Sequence, residues 1–100
     1  MPAVHHMVLL QFKPEISPSR ITELFAQLAE LRRKISGITY LASGPYSSPE
    51  GMNQGYTHGF LVTFESPAAR DAYLTHPDHE RVKTAFLASL DGAVAFDFEA

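Results

Sequence analysis

The chain has 100 residues, the size of one domain, and we expect residues 1–100 to form a single domain. Its 45% hydrophobic and 19% charged residues are typical of a globular protein rather than a disordered one. The formal net charge is −3 and the sole basic run is Arg32 to Lys34, which argues against nucleic-acid binding because phosphate contacts need clustered cations.

Features of exported and membrane proteins are missing from the sequence. The chain contains no cysteine, so disulfides and thiol chemistry are excluded. The N-terminus does not read as a signal peptide, and no apolar run approaches the roughly 20 residues that span a bilayer. We therefore expect a soluble, cytoplasmic protein with no membrane partner.

The first part of the chain predicts a strand, a helix and a second strand. Residues 4–13 carry apolar side chains on both faces, which is typical of a strand buried on both sides. Ser17 and Pro18 are the residue types favoured at the cap and first position of a helix. Apolar residues then recur at helical spacing until Gly37, a natural stop, and residues 38–44 predict the second strand.

The middle of the chain predicts a long loop, a third strand and a short helix. Residues 44–55 are rich in Gly, Pro and Ser, and a loop of this length often serves as a lid or binding loop. Residues 56–65 alternate in the manner of a strand. Ser66 and Pro67 repeat the helix-start pattern, and the helix runs through Tyr73.

The last part predicts a third helix and a fourth strand. His76 precedes Pro77, and a residue before proline avoids helical geometry, so a new helix begins at Pro77. Asp91 and Gly92 predict a turn, and residues 93–99 the last strand. The order β-α-β-β-α-β is typical of an α+β, ferredoxin-like fold with a four-stranded antiparallel sheet and its helices on one face.

Both faces of this sheet carry apolar residues. We assign to the helix-covered face the even-numbered residues Val8, Leu10, Phe12, Ile38, Phe60, Val62, Val94, Phe96 and Phe98. The other face then carries Met7, Leu9, Leu41, Leu61, Ala93 and Ala95. An exposed apolar patch of this kind marks an interface, so we expect a homodimer through the second sheet face, the alternative being a monomer that tolerates the patch.

Four polar aromatic residues fall on positions that point between the sheet and the helices: His6, His58, Tyr73 and His79. Buried polar groups need partners, because an unsatisfied one costs about 1–3 kcal/mol. Two interpretations stay open: a self-satisfied polar network that fixes the packing, or the lining of a pocket. A cavity of about 300 Å³ or more, open near residues 44–55, would favour a ligand site.

Three segments of the chain resemble the stress-responsive A/B barrel family. They are residues 6–13, residues 53–58 running on to 63–66, and residues 71–79 with their Tyr-x-x-His-Pro-x-His pattern; the similarity covers essentially the whole chain and ends with residues 97–99. The resemblance implies a dimeric α+β barrel. It implies no assigned activity, since most members have none.

One branch of that family, plant polyketide cyclases of the olivetolic acid cyclase type, performs a cofactor-free aldol ring closure. Resemblance to that branch implies that His79 is the base and that Tyr73 assists it. It implies pocket positions for His6 and His58. Helix one does not clearly reproduce the hydrophobic pocket surfaces of that branch, so no substrate is implied.

The chemistry of His79 and Tyr73 can also be argued from the residues themselves. Histidine titrates near neutral pH, as a general base should. The start of a helix disfavours the imidazolium, whereas Asp78 and Glu80 favour it, and the sequence leaves the net sign open. Tyr73 could donate a hydrogen bond to an oxygen on which negative charge develops.

The remaining candidates are weaker. Asn53 and Tyr56 are candidate ligand-binding residues, but they also suit a turn and the start of a strand. His76 and His79 are three residues apart without a carboxylate–histidine pattern, so we expect no metal. The chain has no glycine-rich phosphate loop and no nucleophile motif, and we expect no cofactor.

Two functions compete on this basis. The first is a stress-associated dimer without enzymatic activity whose cavity is vestigial or binds a small ligand. The second is a cofactor-independent enzyme that acts on a small carbonyl-rich or aromatic compound. A more distant possibility, a cofactor-free monooxygenase or lactone isomerase, rests on fold analogy alone.

Overall fold

The computed structural model describes residues 2–100, and its elements follow the predicted order. The strands are β1 (Val4–Phe12), β2 (Ile38–Pro45), β3 (His58–Phe64) and β4 (Leu90–Glu99), and the helices are α1 (Pro18–Lys34), α2 (Pro67–Leu74) and α3 (Pro77–Leu87). The predicted α+β class is confirmed, including the division of the second helical region into two helices.

Each helix begins with a side chain that satisfies a free backbone N–H group. The Oγ atoms of Ser17 and Ser66 each accept a hydrogen bond of 3.1 Å from the backbone N–H three residues later. At α3 the cap is His76, whose Nδ1 accepts a 3.1 Å hydrogen bond from the N–H of Asp78. A proline follows every cap, where its missing N–H costs nothing. Within residues 2–100, no helix combines the length and the apolar character needed to cross a bilayer.

The four strands form one antiparallel sheet in the order β2-β3-β1-β4. Residues directly opposite each other on neighbouring strands share a face. Val8 on β1 lies opposite Phe60 on β3 and Ala95 on β4, and Leu41 on β2 lies opposite Val62. The even-numbered residues of β1 and β3 therefore share a face with odd-numbered residues of β2 and β4, except before the register shifts at the starts of those two strands. Ile38 comes before the shift in β2 and keeps the predicted face.

This register corrects the predicted faces of the outer strands. Ala93 and Ala95 lie on the helix-covered side and Leu41 packs against the core, whereas Val94, Phe96 and Phe98 lie on the uncovered side. The prediction was wrong for these residues because it assigned the even-numbered residues of all four strands to the same face. Alternation fixes the two faces within a strand, but the strand register decides which face is covered.

The start of β4 also differs from the prediction. Asp91 and Gly92 lie within the strand, and Gly92 pairs with Gln11. The turn comes earlier, where the N–H of Ser89 donates a 2.8 Å hydrogen bond to the Phe86 carbonyl. A register shift between Gln11 and Phe12 then lets Leu90 join the ladder.

The core lies between the sheet and the helices. Its fully buried side chains come from β1, β3, α1 and α2: Val4, Leu10, Leu24, Leu28, Leu31, Val62, Phe64 and Tyr73. The spacing of the α1 members places them on one stripe of that helix, as the apolar periodicity predicts. The tyrosine is the largest of the set, so the helical layer is anchored by a residue with a polar end.

The uncovered side of the sheet, which we call the open face, is apolar. Its large side chains are between 39% and 61% exposed: Met7, Leu9, Tyr40, Val94, Phe96 and Phe98. His5 also lies there, with its Nδ1 3.0 Å from the Thr63 hydroxyl and its ring 5.0 Å from that of Phe98. Because Val94, Phe96 and Phe98 join this side, the open face is more apolar than the sequence predicts.

Candidate functional site

A cavity of about 440 Å³ lies between α3 and the sheet, and we call it the main cavity. Its lining is mostly apolar: Val8, Leu10, Leu28, Phe60, Leu74, Val82, Phe86, Leu87, Leu90, Ala93 and Ala95, together with His6, Tyr73, His79 and Lys83. The exposed members of this set belong to α3, the end of α2 and the edge strand β4. The mouth therefore lies beside β4 and not near residues 44–55, where an opening would have favoured a ligand site.

Tyr73 and His79 meet in the wall of the main cavity. Tyr73 is the last residue but one of α2, and His79 lies in the first turn of α3. Their ring centroids are 4.1 Å apart. Only 1% of Tyr73 and 9% of His79 is exposed. Burial raises the pKa of the Tyr73 hydroxyl far above its usual value, so this group stays protonated and can donate a hydrogen bond.

The surroundings of His79 favour its neutral form. Burial lowers the pKa of the ring, and this outweighs the opposing hydrogen bond to the Leu74 carbonyl and the charge of Glu80. The structure thus gives the sign that the sequence leaves open. Nδ1 lies 3.3 Å from the Leu74 carbonyl oxygen, which requires Nδ1 to carry the proton. Nε2, on the opposite edge of the ring, is then a free acceptor.

His6 is held in the cavity wall by a charged partner that the sequence analysis missed. Its Nδ1 lies 2.5 Å from Oδ1 of Asp97, the residue directly opposite on β4. The second oxygen of Asp97 accepts a 2.9 Å hydrogen bond from the guanidinium of Arg70 on α2. We call this arrangement the His6–Asp97–Arg70 chain. Burial alone would raise the pKa of Asp97, but the hydrogen bonds from His6 and Arg70 prevail and lower it.

His58 does not join the other three predicted residues. It faces the helix side of the sheet, but its ring packs at 5.1 Å from Phe12 and 5.8 Å from Phe25. Its Nδ1 lies 2.9 Å from the Thr57 hydroxyl, and burial lowers its pKa. The residue lines a second cavity of about 220 Å³ instead, which we call the smaller cavity. The predicted convergence thus applies to His6, Tyr73 and His79.

Asn53 and Tyr56 also line the smaller cavity. The side-chain amide of Asn53 donates a 2.8 Å hydrogen bond to the Tyr56 carbonyl, and the Tyr56 N–H donates one of 2.9 Å to the Asn53 carbonyl. These two bonds close a turn before β3. The amide that could have met a ligand is therefore engaged by the backbone.

A metal centre finds no support in the part of the chain that is described. No group of three or more His, Cys, Asp or Glu side chains stands close enough to hold an ion within residues 2–100. His76 uses its Nδ1 as the helix cap, as described above, so it is not free to join His79 as a ligand.

The main cavity offers a specific set of chemical groups. Tyr73 can donate a hydrogen bond, a neutral His79 can accept a proton, and His6 is oriented by a carboxylate. Apart from Lys83 the rest of the wall is apolar, and apolar surroundings strengthen polar interactions. Such a set suits a small molecule with a carbonyl or hydroxyl group on an apolar body.

Comparison with known proteins identifies the family of the chain that carries this site. The model of the stress responsive A/B barrel domain matches residues 4–100. The chain belongs to the stress-responsive A/B barrel family. Two of the three segments that resemble it, residues 6–13 and 71–79, contribute residues to the main cavity, and the third, residues 53–58, borders the smaller cavity.

Individual relatives align over nearly the whole chain. The stress-response A/B barrel domain-containing protein HS1 of Arabidopsis thaliana is 40% identical over 96 residues, which cover 96% of this chain and 88% of that protein. Olivetolic acid cyclase of Cannabis sativa is 29% identical over 96 residues, with 96% and 95% covered. The crystal structure of a dimeric ferredoxin-like protein of unknown function from Jannaschia is 35% identical, covers 98% of this chain and 99% of its own, and superposes with a TM-score of 0.89.

Proposed function

We propose that residues 1–100 act as a single domain that pairs with a second copy and binds a small, mostly apolar molecule in the main cavity. The observation that carries the proposal is the main cavity itself, with an apolar lining, a mouth beside β4 and three polar rings in its wall. His6 bonds to Asp97 and His79 to the Leu74 carbonyl, rather than to each other. The volume of about 440 Å³ falls within the range of roughly 300–1,000 Å³ typical of small-molecule sites.

The pairing is supported by the open face. Six large apolar side chains on one side of a sheet are unfavourable in water, and burial of their surface is favourable by roughly 25 cal/mol per Å². The 35% identical Jannaschia protein is described as dimeric, which supports the same assembly here. A cytoplasmic location remains a prediction from the sequence.

The ligand-binding proposal can be tested by a thermal-shift screen with polyketides, phenols and lactones. Ala95 lies at the mouth, so Ala95→Phe should fill the entrance and abolish the shift of any compound that stabilises the native protein. Ala26→Phe, on an exposed position of α1, is the matched control and should keep the shift. A ligand whose effect survives Ala95→Phe would contradict the proposal.

A second candidate function is favoured by the contact between Tyr73 and His79. In this candidate, Nε2 of neutral His79 removes a proton from a carbon next to a carbonyl group. The electron pair of that C–H bond forms a carbon–carbon double bond, and the π pair of the carbonyl group moves to its oxygen, where the Tyr73 hydroxyl stabilises the charge. In an aldol ring closure, the enolate carbon attacks a second carbonyl carbon of the same molecule, and the oxygen of that carbonyl takes the proton from His79. A molecule without a second carbonyl takes the proton back at carbon. Similarity to olivetolic acid cyclase supports this candidate, with His6 as the residue that orients the bound molecule.

Hydrogen–deuterium exchange separates the two candidates. A ketone identified by the screen is incubated with the protein in deuterium oxide, and NMR follows exchange at the carbon next to its carbonyl. A catalyst accelerates this exchange, and His79→Gln abolishes the acceleration. His58→Gln is the control, since His58 lies outside the main cavity. Tight binding without accelerated exchange would support the ligand-binding function and contradict the enzymatic candidate.

A further inference from the structure

Lys83 gives the main cavity a chemical preference beyond apolar shape. It is one helical turn beyond His79 on α3 and lines the same cavity. Among the described residues that line the cavity, Lys83 alone has a lysine, arginine, aspartate or glutamate side chain, so it supplies the one strong charge. Its side chain is 48% exposed, which places its charge at the mouth rather than in the interior.

We infer that the main cavity takes an apolar monocarboxylate, with its carboxylate at the mouth against Lys83 and its apolar body inside. This inference rests on the proposed ligand-binding function and names the chemical class of the ligand. One cation at the rim matches one negative charge. A second charge, as on a phosphate monoester, would find no second lysine or arginine among the described lining residues.

The present partner of Lys83 can be displaced by such a ligand. The ammonium lies 3.5 Å from Oε1 of Glu80, and both side chains are 48% exposed. Exposed pairs three residues apart on a helix are worth at most a few tenths of a kcal/mol. Glu80 is not among the residues that line the cavity, so a carboxylate at the mouth can approach Lys83 from the cavity side.

Two further observations support the carboxylate. The charge of Lys83 contributes to the lowered pKa of His79, so its field reaches the interior of the site. The chain as a whole carries a net charge of −3, so it has no general attraction for anions. A preference for the acid over a neutral analogue would therefore report on a local cation.

The test compares 4-phenylbutyrate with its neutral analogue 4-phenylbutanamide by calorimetry at pH 8 and low salt. We expect the acid to bind about fivefold more tightly, in keeping with a partly exposed ion pair. Lys83→Met should remove this difference, so that the acid binds no more tightly than the amide. Glu80→Gln should enlarge the difference, because it frees Lys83. Added salt should reduce the difference, since exposed charges are screened.

Arg81→Met provides the matched control, because Arg81 is a cation on the same helix that is 64% exposed and pairs with Asp78 outside the cavity. It should keep the preference for the acid. If the amide binds as tightly as the acid, or if Lys83→Met retains the preference, the carboxylate inference is overturned while ligand binding stands. If neither compound binds at millimolar concentration although a compound from the thermal-shift screen does, the carboxylate inference alone is overturned. If no compound binds at all, the proposed function is contradicted as well.

Discussion

His6 and Asp97 lie directly opposite each other on β1 and β4, and their side chains are joined across the two strands at 2.5 Å. The pair couples the edge strand to the wall of the main cavity. Arg70 extends the coupling to α2, so one carboxylate links three elements. Because Asp97 accepts from Nδ1, the other ring nitrogen of His6 remains available to a ligand.

Removal of Arg70 should change how the fold responds to acid. The pKa of Asp97 is below its ordinary value of 3.8, so the ionised carboxylate stabilises the fold above that pH. The stabilisation is lost as pH falls through the lower, folded-state value. Arg70→Met should lower the free energy of unfolding at pH 7 by about 1 kcal/mol and by less at pH 2, as measured by urea unfolding.

Arg33→Met is the control for this experiment, because Arg33 is 74% exposed and pairs with Glu30 on the surface of α1. It should change stability by no more than a few tenths of a kcal/mol. An equal loss for Arg70→Met at both pH values would mean that Arg70 acts through packing and not through Asp97.

The titration of His79 should respond in opposite directions to its two charged neighbours. Its pKa lies below 6.5, chiefly because of burial, so the ring is neutral at pH 7. Glu80 raises this pKa and Lys83 lowers it. Glu80→Gln should therefore shift the midpoint down and Lys83→Met should shift it up, which proton NMR of the imidazole measures. Shifts of the same sign in both variants would contradict this account.

Because the pKa of His79 is lowered, this residue makes the fold less stable at acidic pH. A ring that resists protonation in the folded state takes up protons more readily when unfolded, so stability falls as pH drops below about 6.5. His79→Phe removes this titration and should make the curve less steep between pH 7 and pH 5, with the lowered pKa of His58 contributing to the slope that is left. The measurement is the melting temperature across that range, with His5→Phe as a histidine control on the open face.

The sequence predicts local structure well because the signals of helix ends are local. Ser17 and Ser66 are recognised with their prolines, and both caps are present. The faces of β2 and β4 could not be predicted in the same way, since they depend on the pairing of residues far apart in the chain. Phe96 alternates correctly within β4, yet the pairing of Met7 with Phe96 decides that both lie on the open face.

The candidate site was predicted to the extent that motifs define it. Tyr73 and His79 belong to one pattern of seven residues, so the sequence brings them together. Asp97 was missed for the same reason as the face of β4: a wrong parity turned it away from His6. Its one visible signal is a single acidic residue among alanine, valine and phenylalanine in residues 93–98. His58 lies on the predicted, helix-covered face of the sheet, but it lines the smaller cavity instead of the main cavity.

A charge on the open face should prevent the proposed dimer. Phe96 is 61% exposed on this face, and Phe96→Asp would place a carboxylate against a second apolar sheet. We expect sedimentation velocity to show a monomer at concentrations where the native protein is a dimer. Met52→Asp is the control, because Met52 is 76% exposed but lies in the loop after β2. It should leave the dimer intact, and dissociation by both variants would contradict the assignment of the interface.

The turn after α1 limits which residue can occupy position 37. Gly37 has a φ of +94°, and a Cβ at this position would lie 2.7 Å from the Cβ of Ala69 on α2. Gly37→Ala combines backbone strain with this contact and should cost about 2–4 kcal/mol in urea unfolding. Gly51 has a φ of +69° with no atom within 4 Å, so Gly51→Ala should cost only about 1–2 kcal/mol.

The difference between these two variants isolates the close approach of α2, and a double variant tests it directly. Ala69→Gly removes the opposing methyl group but weakens α2 by about 1 kcal/mol when made alone. In the Gly37→Ala background the same change should cost less or even restore stability, because it also relieves the clash. Additive effects of the two substitutions would mean that the backbone at position 37 moves away from α2, and that the contact does not fix the position of the helix that carries Arg70 and Tyr73.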